Sequence, residues 1–212
     1  MKKIKKILVG THNKGKIKEI SYLLNKKIKK ITPFQLNIKS PKETEKTFRL
    51  NSELKAKYFF KKSKIVTISD DSGLCVDCLN NKPGIHSARW AQRYKNFDQA
   101  MKKIIALVKN KNKGKKIKNT KAKFICSLTV SFSAVKKITT IGIIKGNISE
   151  KILGKNGFGY DPIFIPKGSK ITFGQMDKKK KLLMDHRFIA FKQLKKKKLI
   201  FYKFIIFSFI YF

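Results

Sequence analysis

The segment from Ile65 to Ala91, IVTISDDSGLCVDCLNNKPGIHSARWA, decides the predicted fold. It opens with a run of β-branched and apolar residues, Ile65 to Ile68, which is typical of a short buried strand. The sequence DDSG at residues 70–73 follows almost directly. Two adjacent carboxylates at the end of a buried strand repel each other and lose solvation. We therefore expect them to hold a cation or to serve a function.

The two carboxylates should have different tasks. Side chains alternate between the faces of a strand, so Asp70 and Asp71 are expected to point in different directions. One would enter a site and the other would brace a neighbouring loop. Gly73 is expected to turn the backbone sharply, and Ser72 offers a hydroxyl or an amide to a phosphate. An acidic surface turn is the alternative that these four residues leave open.

Composition and charge restrict the class of protein. A chain of 212 residues with 42% hydrophobic residues predicts one ordinary domain, or two packed lobes, and excludes a disordered chain. The 52 basic residues outnumber the 12 acidic ones, for a net charge of +40. Such a field attracts polyanions, whether nucleic acid, nucleotides or anionic lipid. Because lysine dominates throughout, the excess indicates a general compositional bias more than a dedicated binding face.

The three cysteines and the N-terminus predict a reducing, cytoplasmic setting, because no apolar run resembling a secretory signal follows the first lysines. Cys75 and Cys78 have the CxxC spacing of a redox pair or half a zinc site. A second pair of zinc ligands is missing from the sequence pattern. We expect these two cysteines to be small buried residues on a strand.

The N-terminal part predicts a phosphate-binding loop. A strand from Lys6 to Gly10 precedes a polar loop, and a helix is expected from about Ile17 to Leu24. This arrangement turns backbone N–H groups and a helix N-terminus towards a phosphate, although a plain surface loop explains it too. The loop residues are Thr11, His12, Asn13, Lys14, Gly15 and Lys16, the last supplying a point charge.

A strand with its turn at Pro33 is predicted between Ile28 and Ile38. A helix ending near Lys62 should follow, and its expected apolar stripe consists of Phe48, Leu50, Leu54 and Tyr58. Glu43 lies just before this helix, where it would either cap the helix or reach a metal.

The middle of the chain predicts a helix and a hairpin. The helix covers Phe97 to Val108, and the two strands of the hairpin cover residues 124–134 and 137–146. Between them, the lysine-rich segment 109–123 is expected to be disordered or mobile.

A glycine loop, GKNGFGYDPIFIP at residues 154–166, follows the hairpin. Two exposed aromatic rings and a carboxylate in such a loop would stack a base and read its edge, whereas core aromatics in a turn are the alternative. The residues concerned are Phe158, Gly159, Tyr160 and Asp161. One helix is then predicted from Phe173 to Leu194, and it carries Lys181, His186 and Arg187.

The chain closes with lysines at 195–198 and the segment LIFYKFIIFSFIYF at 199–212. This segment is too short to cross a bilayer as a helix. It would be an interfacial anchor behind a basic patch, a buried edge strand or an extension without a function. The predicted organisation is therefore one domain at 1–194 and a tail at 195–212.

The motifs THNKGK, SDDSG with PGIHSARWA, GFGYDPIF and the helix with Lys181 and His186 occur in one order. Together they resemble the inosine triphosphate pyrophosphatase family, the pyrophosphatases of non-canonical purine nucleoside triphosphates, over about Lys6 to Leu194. The resemblance implies an elongated α/β fold, with two lobes around a mixed twisted sheet and the substrate in the cleft between them. It also implies a homodimer and Mg²⁺-dependent cleavage of ITP, dITP or XTP to the monophosphate and pyrophosphate.

The resemblance also implies roles for single residues. Thr11 to Lys16 match the family's phosphate loop, and Asp71 matches the carboxylate that binds the metal and accepts a proton, with Ser72 contacting substrate. Phe158 to Asp161 match the loop for base and sugar. The residues that match those gripping the nucleotide and selecting its base are Lys181, His186 and Arg187.

The chain departs from the family pattern at Lys42, where the first of two consecutive glutamates is usual, and at Asp185, where serine is usual. Either Glu43 serves as the second metal carboxylate, or the ion is held mainly by Asp71, phosphates and water. The rival prediction is a catalytically weakened basic protein that binds nucleic acid or anionic membrane. No specific nucleic acid is expected as partner of the enzyme, and membrane contact would come from the tail alone.

Overall fold

The computed structural model describes residues 4–197. The chain divides into two compact units. Within the described residues, the first consists of residues 4–71, Cys126–Gly142 and residues 187–197, and the second of Ser72–Ile125 and Ile143–His186. The segment 198–212, which holds most of the predicted tail, lies outside the described residues.

Helices and strands alternate along the described chain. The strands are β1 (Lys6–Val9), β2 (Lys29–Ile31), β3 (Thr67–Val76), β4 (Lys82–Pro83), β5 (Lys121–Ser131), β6 (Lys137–Ile148) and β7 (Phe164–Pro166). The α-helices are α1 (Lys14–Leu23), α2 (Phe48–Ser63), α3 (Ser87–Arg93), α4 (Phe97–Lys111), α5 (Lys178–Leu182) and α6 (His186–Lys196).

The strands form one mixed sheet in the order β2-β1-β3-β5-β6-β7, and β4 pairs with β3. Strand β1 is parallel to both β2 and β3, whereas β3–β4 and β6–β7 are antiparallel. Because β1 and β3 are parallel, the residues after β1 and the middle of β3 lie towards the same end of these strands. The predicted α/β class with a mixed sheet and flanking helices is confirmed.

The core of the first unit joins α1 and α6 to the strands. Ile7, Ile20, Leu128 and Leu194 are among its fully or almost fully buried members. Such side chains are each worth about 1.5–3 kcal/mol when removed from water, so this cluster supplies much of the unit's stability. A smaller cluster around Phe59 fixes α2 on β1.

Helix α2 buries a polar face, contrary to the predicted apolar stripe. Leu50 is 45% exposed, and the buried residues are Asn51, Ser52, Lys55, Ala56 and Phe59. The hydroxyl of Ser52 lies 2.8 Å from the hydroxyls of both Ser127 and Thr129. The same Ser52 donates to the carbonyl of Arg49. The helix therefore packs on the strands through hydroxyl groups as well as apolar side chains.

This hydroxyl chain continues to the surface. Thr129 and Thr139 hydroxyls are 3.0 Å apart, and Thr139 donates to Glu53 at 2.9 Å. Lys137 and Arg49 also contact Glu53, at 2.7 and 3.2 Å. Because these donors bond Glu53, its pKa is lowered even though partial burial acts to raise it.

The second unit has its own core between α4 and the strands. Ile104, Phe124, Phe164 and Phe173 are buried there, and the Phe124 and Phe164 ring centroids are 4.7 Å apart. Tyr160 belongs to this core, since it is 3% exposed and donates its hydroxyl to the Ser87 carbonyl. The expectation of an exposed aromatic ring is therefore wrong for Tyr160.

Several predicted boundaries differ from the observed ones. Strand β3 runs straight through DDSG to Val76, so Gly73 makes no turn. The segment 109–123 is ordered, because α4 reaches Lys111 and Asn112 then exchanges hydrogen bonds with the backbone of Asn119. The predicted helix Phe173–Leu194 is two helices, α5 and α6, separated by residues 183–185.

Cys75 and Cys78 are free thiols but, contrary to the sequence prediction, they do not both lie on a strand. Cys75 is buried on β3, and its burial raises the pKa of the thiol to about 11. Cys78 is half-buried in a 3-10 turn at Asp77–Leu79. Within residues 4–197, no three His, Cys, Asp or Glu side chains form a group able to hold a metal by themselves.

No helix within the described range is long and apolar enough to cross a membrane.

Candidate active site

The predicted phosphate loop forms the start of α1. Helix α1 begins at Lys14, three residues earlier than predicted, so Lys14, Gly15 and Lys16 form its first turn. Asn13 caps it by accepting from the Lys16 N–H at 3.0 Å, and Thr11 accepts from the Asn13 N–H at 3.2 Å. The first turn contains no acidic side chain. The helix N-terminus is therefore suited to an anion.

His12 is held beside this helix start. Its Nδ1 lies 2.6 Å from the Ser40 hydroxyl, and its ring packs edge-on against Phe34 with centroids 4.7 Å apart. The His12 ring is thus oriented by neighbours in its own unit.

Asp70 and Asp71 point to different partners, as alternation along the strand predicts. Asp70 is fully buried, and its Oδ2 lies 3.3 Å from Lys16 Nζ and 2.8 Å from Arg187 Nη2. Burial alone would raise the pKa of Asp70, but Lys16 and Arg187 hold it far below its usual range. Asp70 is therefore an ionised brace between the start of α1 and the start of α6.

Asp71 faces a second ammonium. Its Oδ1 lies 3.6 Å from Lys55 Nζ, and Glu43 contacts the same nitrogen. Burial raises the pKa of Asp71, against the pull of Lys55 and Lys16. A carboxylate with a raised pKa is a better proton acceptor than an exposed aspartate.

Lys55 is the functional candidate that sequence reasoning missed. It is 5% exposed on α2, and its charge is retained because Asp71 and Glu43 raise its pKa more than burial lowers it. The available sequence signal was its spacing of four residues from Phe59, an apolar residue on the same face of the helix. Its position was hidden because the neighbouring leucines suggested a different buried face.

Glu43 does not cap α2. Thr47 does so, by accepting from the Leu50 N–H at 3.1 Å. Glu43 instead contacts Lys55, whereas Lys42 is exposed. Of the two alternatives that the sequence left open for Glu43, helix capping is wrong.

Phe158, Asp161 and Lys181 come together in the second unit. Asp161 Oδ2 accepts from the Phe158 N–H at 2.9 Å and lies 3.2 Å from Lys181 Nζ. Asp185 Oδ2 is 3.2 Å from the same nitrogen, so one buried ammonium is shared by two buried carboxylates. The Lys181 ammonium also lies 5.4 Å from the centre of the Phe158 ring. The half-buried Phe158 is thus held on a charged support.

Gly157 makes this loop possible. Its φ is +74°, and a Cβ added there would lie 2.0 Å from Asp161 Oδ2. Gly159 also has a positive φ, +66°, but an added Cβ would meet only the Phe97 ring at 3.6 Å. The approach of the backbone to Asp161 therefore requires glycine at 157.

We expect Gly157→Ala to lower stability by more than the roughly 1–2 kcal/mol of backbone strain, because alanine would also displace Asp161. Gly168→Ala is the matched control, since its φ is +84° and nothing lies within 4 Å of an added Cβ. Thermal melting of both variants measures the difference. Equal effects in the two variants would show that Asp161 is not displaced.

His186 and Arg187 are neighbours in sequence with separate environments. His186 is buried and stacks on Phe124, with centroids 4.8 Å apart and an interplanar angle of 11°. Arg187 is 1% exposed, and its guanidinium contacts Glu19 and Asp70. Arg187 therefore has a bracing role, and selection of the base by it stays a prediction.

The structure thus places the predicted residues in two clusters, together with Lys55 and Asp185, which the sequence motifs did not assign to a site. The phosphate cluster comprises Thr11, His12, Asn13, Lys14, Gly15, Lys16, Glu43, Lys55, Asp70, Asp71 and Arg187 in the first unit. The aromatic cluster comprises Phe158, Gly159, Tyr160, Asp161, Lys181, Asp185 and His186 in the second. Ser72 is half-buried on β3, next to Asp71 in sequence.

Comparisons with known proteins agree with these motifs. The model of the Ham1 family matches residues 7–197. A dITP/XTP pyrophosphatase of Caulobacter vibrioides is 40% identical over 190 residues, which cover 90% of this chain and 96% of the relative. A HAM1 protein from Coxiella burnetii has a similar structure, with a TM-score of 0.80, 28% identity and coverage of 91% and 97% of the two chains. The Ham1 protein of Staphylococcus aureus gives a TM-score of 0.77 and 31% identity, with the same coverage. Because the family model matches nearly the whole chain, the chain belongs to the Ham1 family.

Proposed function

We propose that the chain hydrolyses non-canonical purine nucleoside triphosphates, ITP, dITP and XTP, to the monophosphate and pyrophosphate. The observation that carries the proposal is the group formed by Glu43, Lys55 and Asp71, in a family whose relatives include dITP/XTP pyrophosphatases. The catalytic part is proposed to be residues 1–194. The reaction removes deaminated purines from the nucleotide pool.

The carboxylates of Glu43 and Asp71, which share the Lys55 ammonium as a partner, are suited to binding a divalent metal ion. Glu43 and Asp71 both contact the Lys55 ammonium, so each offers oxygen towards positive charge. Oxygen ligands suit Mg²⁺, which usually keeps several waters and binds phosphate oxygens beside one or two carboxylates. Mg²⁺ would supply neutralisation of phosphate charge. Fewer than three protein ligands are therefore no obstacle to such a site.

The phosphate cluster supplies the remaining parts for phosphoryl transfer. The start of α1 presents backbone N–H groups, and Lys16 brings a positive charge held in place by Asp70. In the reaction, water forms a bond to phosphorus, the bond to the bridging oxygen breaks and pyrophosphate leaves. Asp71 takes the proton of that water, a role open to a carboxylate held at this position by Lys55.

The aromatic cluster is proposed to bind the nucleoside. Phe158 offers a ring for stacking, while Lys181 and His186 offer donors. A 6-oxopurine presents an acceptor where adenine presents a donor, so a fixed donor favours the deaminated base and is left unpaired by adenine. Guanine shares the 6-oxo group, and its rejection must come from its 2-amino group.

The decisive test is pyrophosphate release from ITP, dITP, XTP, GTP and ATP, each with Mg²⁺ and with a chelator. We expect metal-dependent release from the first three, with GTP and ATP slower by about 10²-fold or more. Release from ATP at the rate of ITP would overturn the base selection. No release from any substrate would favour the second candidate, a basic protein weakened at Lys42 that binds polyanions without hydrolysis.

Two further properties are proposed from the family resemblance and the composition. The enzyme is a homodimer, for which the isoleucines at 141 and 143, 37% and 44% exposed on β6, offer apolar surface. It works in the cytoplasm, where its free thiols stay reduced. Light scattering on the purified full chain measures the first property, and a monomer at micromolar concentration would contradict it.

A further inference from the structure

Lysines collect where the parallel strands of the first unit begin. Residues Lys6 and Lys29 are register partners on β1 and β2, and the Lys29 N–H donates to the Lys5 carbonyl at 3.0 Å. Strand β3 lies on the other side of β1, with Leu8 opposite Thr67. Lys64 precedes β3 closely in the chain, and the turn before β2 carries Lys26 and Lys27. The group called here the strand-start lysines is Lys5, Lys6, Lys26, Lys27, Lys29 and Lys64.

The positive charges of these lysines repel one another, and acidic residues are scarce in the neighbouring segments of the chain. All six are exposed, and within residues 4–197 none of them takes part in an ion pair. The segment 4–31 has one acidic residue, Glu19, which is buried against Arg187. The segment 54–69 has none. Since neighbouring strands are about 4.8 Å apart, the charges span roughly 10 Å across three strands.

The face lies away from the phosphate cluster. Parallel strands share their direction, so the starts of β1 and β3 are at one end, while Thr11 and Asp71 follow at the other. Its charge therefore has no part in the proposed hydrolysis.

We propose that the strand-start lysines bind the sugar–phosphate backbone of duplex nucleic acid without reading its sequence. A close group of unpaired ammonium ions complements a duplex, which carries one phosphate charge per about 1.7 Å of its axis. The proposal is independent of the proposed hydrolysis. The proposal differs from binding that depends only on the net charge of the protein, because it assigns the binding to one face.

The chemistry of the face favours a duplex over its two competitors. The large exposed apolar side chains of the first unit include Phe34 and Leu36, which follow β2 at its far end, and none belongs to segments 4–6, 26–30 or 61–64. Membrane binding generally combines a basic patch with inserted apolar groups. Binding of single strands generally needs exposed aromatic rings for stacking. Among the residues that the structure describes, the strand starts offer charge alone, which is what a duplex backbone requires.

The test compares two variants of the full chain with the same net charge. In the first, the six strand-start lysines are replaced by glutamine. In the control, six exposed lysines of α4 and the following loop are replaced in the same way: Lys103, Lys109, Lys111, Lys113, Lys115 and Lys116. Binding of a fluorescent 20-base-pair DNA duplex of arbitrary sequence is followed by anisotropy between roughly 50 and 300 mM KCl.

We expect the first variant to lose at least about tenfold in affinity at 100 mM KCl, and its salt slope to fall by up to about 5, since each phosphate contact contributes about 0.9. The control should change less than about threefold. Both variants should give the wild-type circular dichroism spectrum, which shows that they are folded.

Equal losses in the two variants would overturn the proposal, because binding would then follow net charge alone. So would an unchanged affinity in the first variant. If the six substitutions weaken binding to vesicles with anionic lipid but not binding to the duplex, the face would be assigned to membranes instead.

Discussion

Asp71→Asn is expected to lower kcat for ITP by about 10²- to 10⁴-fold, the usual range for loss of a positioned proton acceptor. Asparagine keeps the shape of the side chain but cannot take a proton from water. Lys55 would retain Glu43 as its partner, so the fold should persist. Pyrophosphate release at saturating ITP measures the loss, and circular dichroism checks the fold.

Asp77→Asn is the matched control, because Asp77 is an exposed carboxylate six residues further along the same segment. It should keep wild-type kcat. An Asp71→Asn enzyme within threefold of wild type would remove Asp71 from the mechanism, whereas an unfolded variant would show up in the circular dichroism spectrum and call for Asp71→Glu.

Arg187→Met should lower the free energy of unfolding by about 3–5 kcal/mol, the typical cost of removing one member of a buried charge network. The change removes the guanidinium that contacts both Asp70 and Glu19. Asp70, which is 0% exposed, then keeps its ion pair with Lys16, whereas Glu19 loses its contact with Arg187. Urea unfolding at pH 7 measures the loss. Arg93→Met is the control, since Arg93 is exposed and should change stability by less than about 0.5 kcal/mol.

The loss should depend on pH in a defined direction. The folded-state pKa of Asp70 is depressed, so its ionisation stabilises the fold above its unfolded pKa of about 4, and this contribution decreases as pH falls. The gap between wild type and Arg187→Met should therefore narrow below about pH 4. Adding Asp70→Asn to Arg187→Met should recover part of the loss at pH 7. A gap that is constant with pH and insensitive to Asp70→Asn would show that lost packing, not lost charge, is responsible.

Sequence patterns predicted most elements of the fold because those elements depend on local information. The apolar runs at β1 and the 124–146 hairpin, and the periodic helix α4, are visible in short windows. Asn13 and Thr47 act as helix caps, which the same local chemistry explains.

The errors share a different cause. Strand β3 continues through DDSG because Asp70 and Asp71 find cations on other elements, Lys16 and Lys55, which no local window contains. Turn propensity alone therefore predicted a turn. The buried face of α2 was missed in the same way, because Ser52 is buried by partners about 75 residues away.

The candidate site was predictable in its residue types and only partly in its geometry. Motif spacing named Asp71, Glu43 and Lys181, but the two carboxylates on Lys181 depend on how the glycine loop meets α5 and on Asp185 just after that helix. Selection of a base by Arg187 stays a prediction, and its contact with Asp70 is visible only in three dimensions.

The hydroxyl chain under α2 has a consequence for where its protons lie. Five hydrogen bonds are geometrically available among Ser52, Ser127, Thr129, Thr139 and the oxygens of Arg49 and Glu53, but the four hydroxyls carry only four hydrogens between them. Every arrangement of the protons leaves one of the five bonds unmade, and alternative arrangements differ only by hydroxyl rotations. As in ice, the oxygen positions are fixed while the hydrogens interchange. The oxygen positions of this hydroxyl chain therefore do not by themselves fix which hydroxyl donates in each bond.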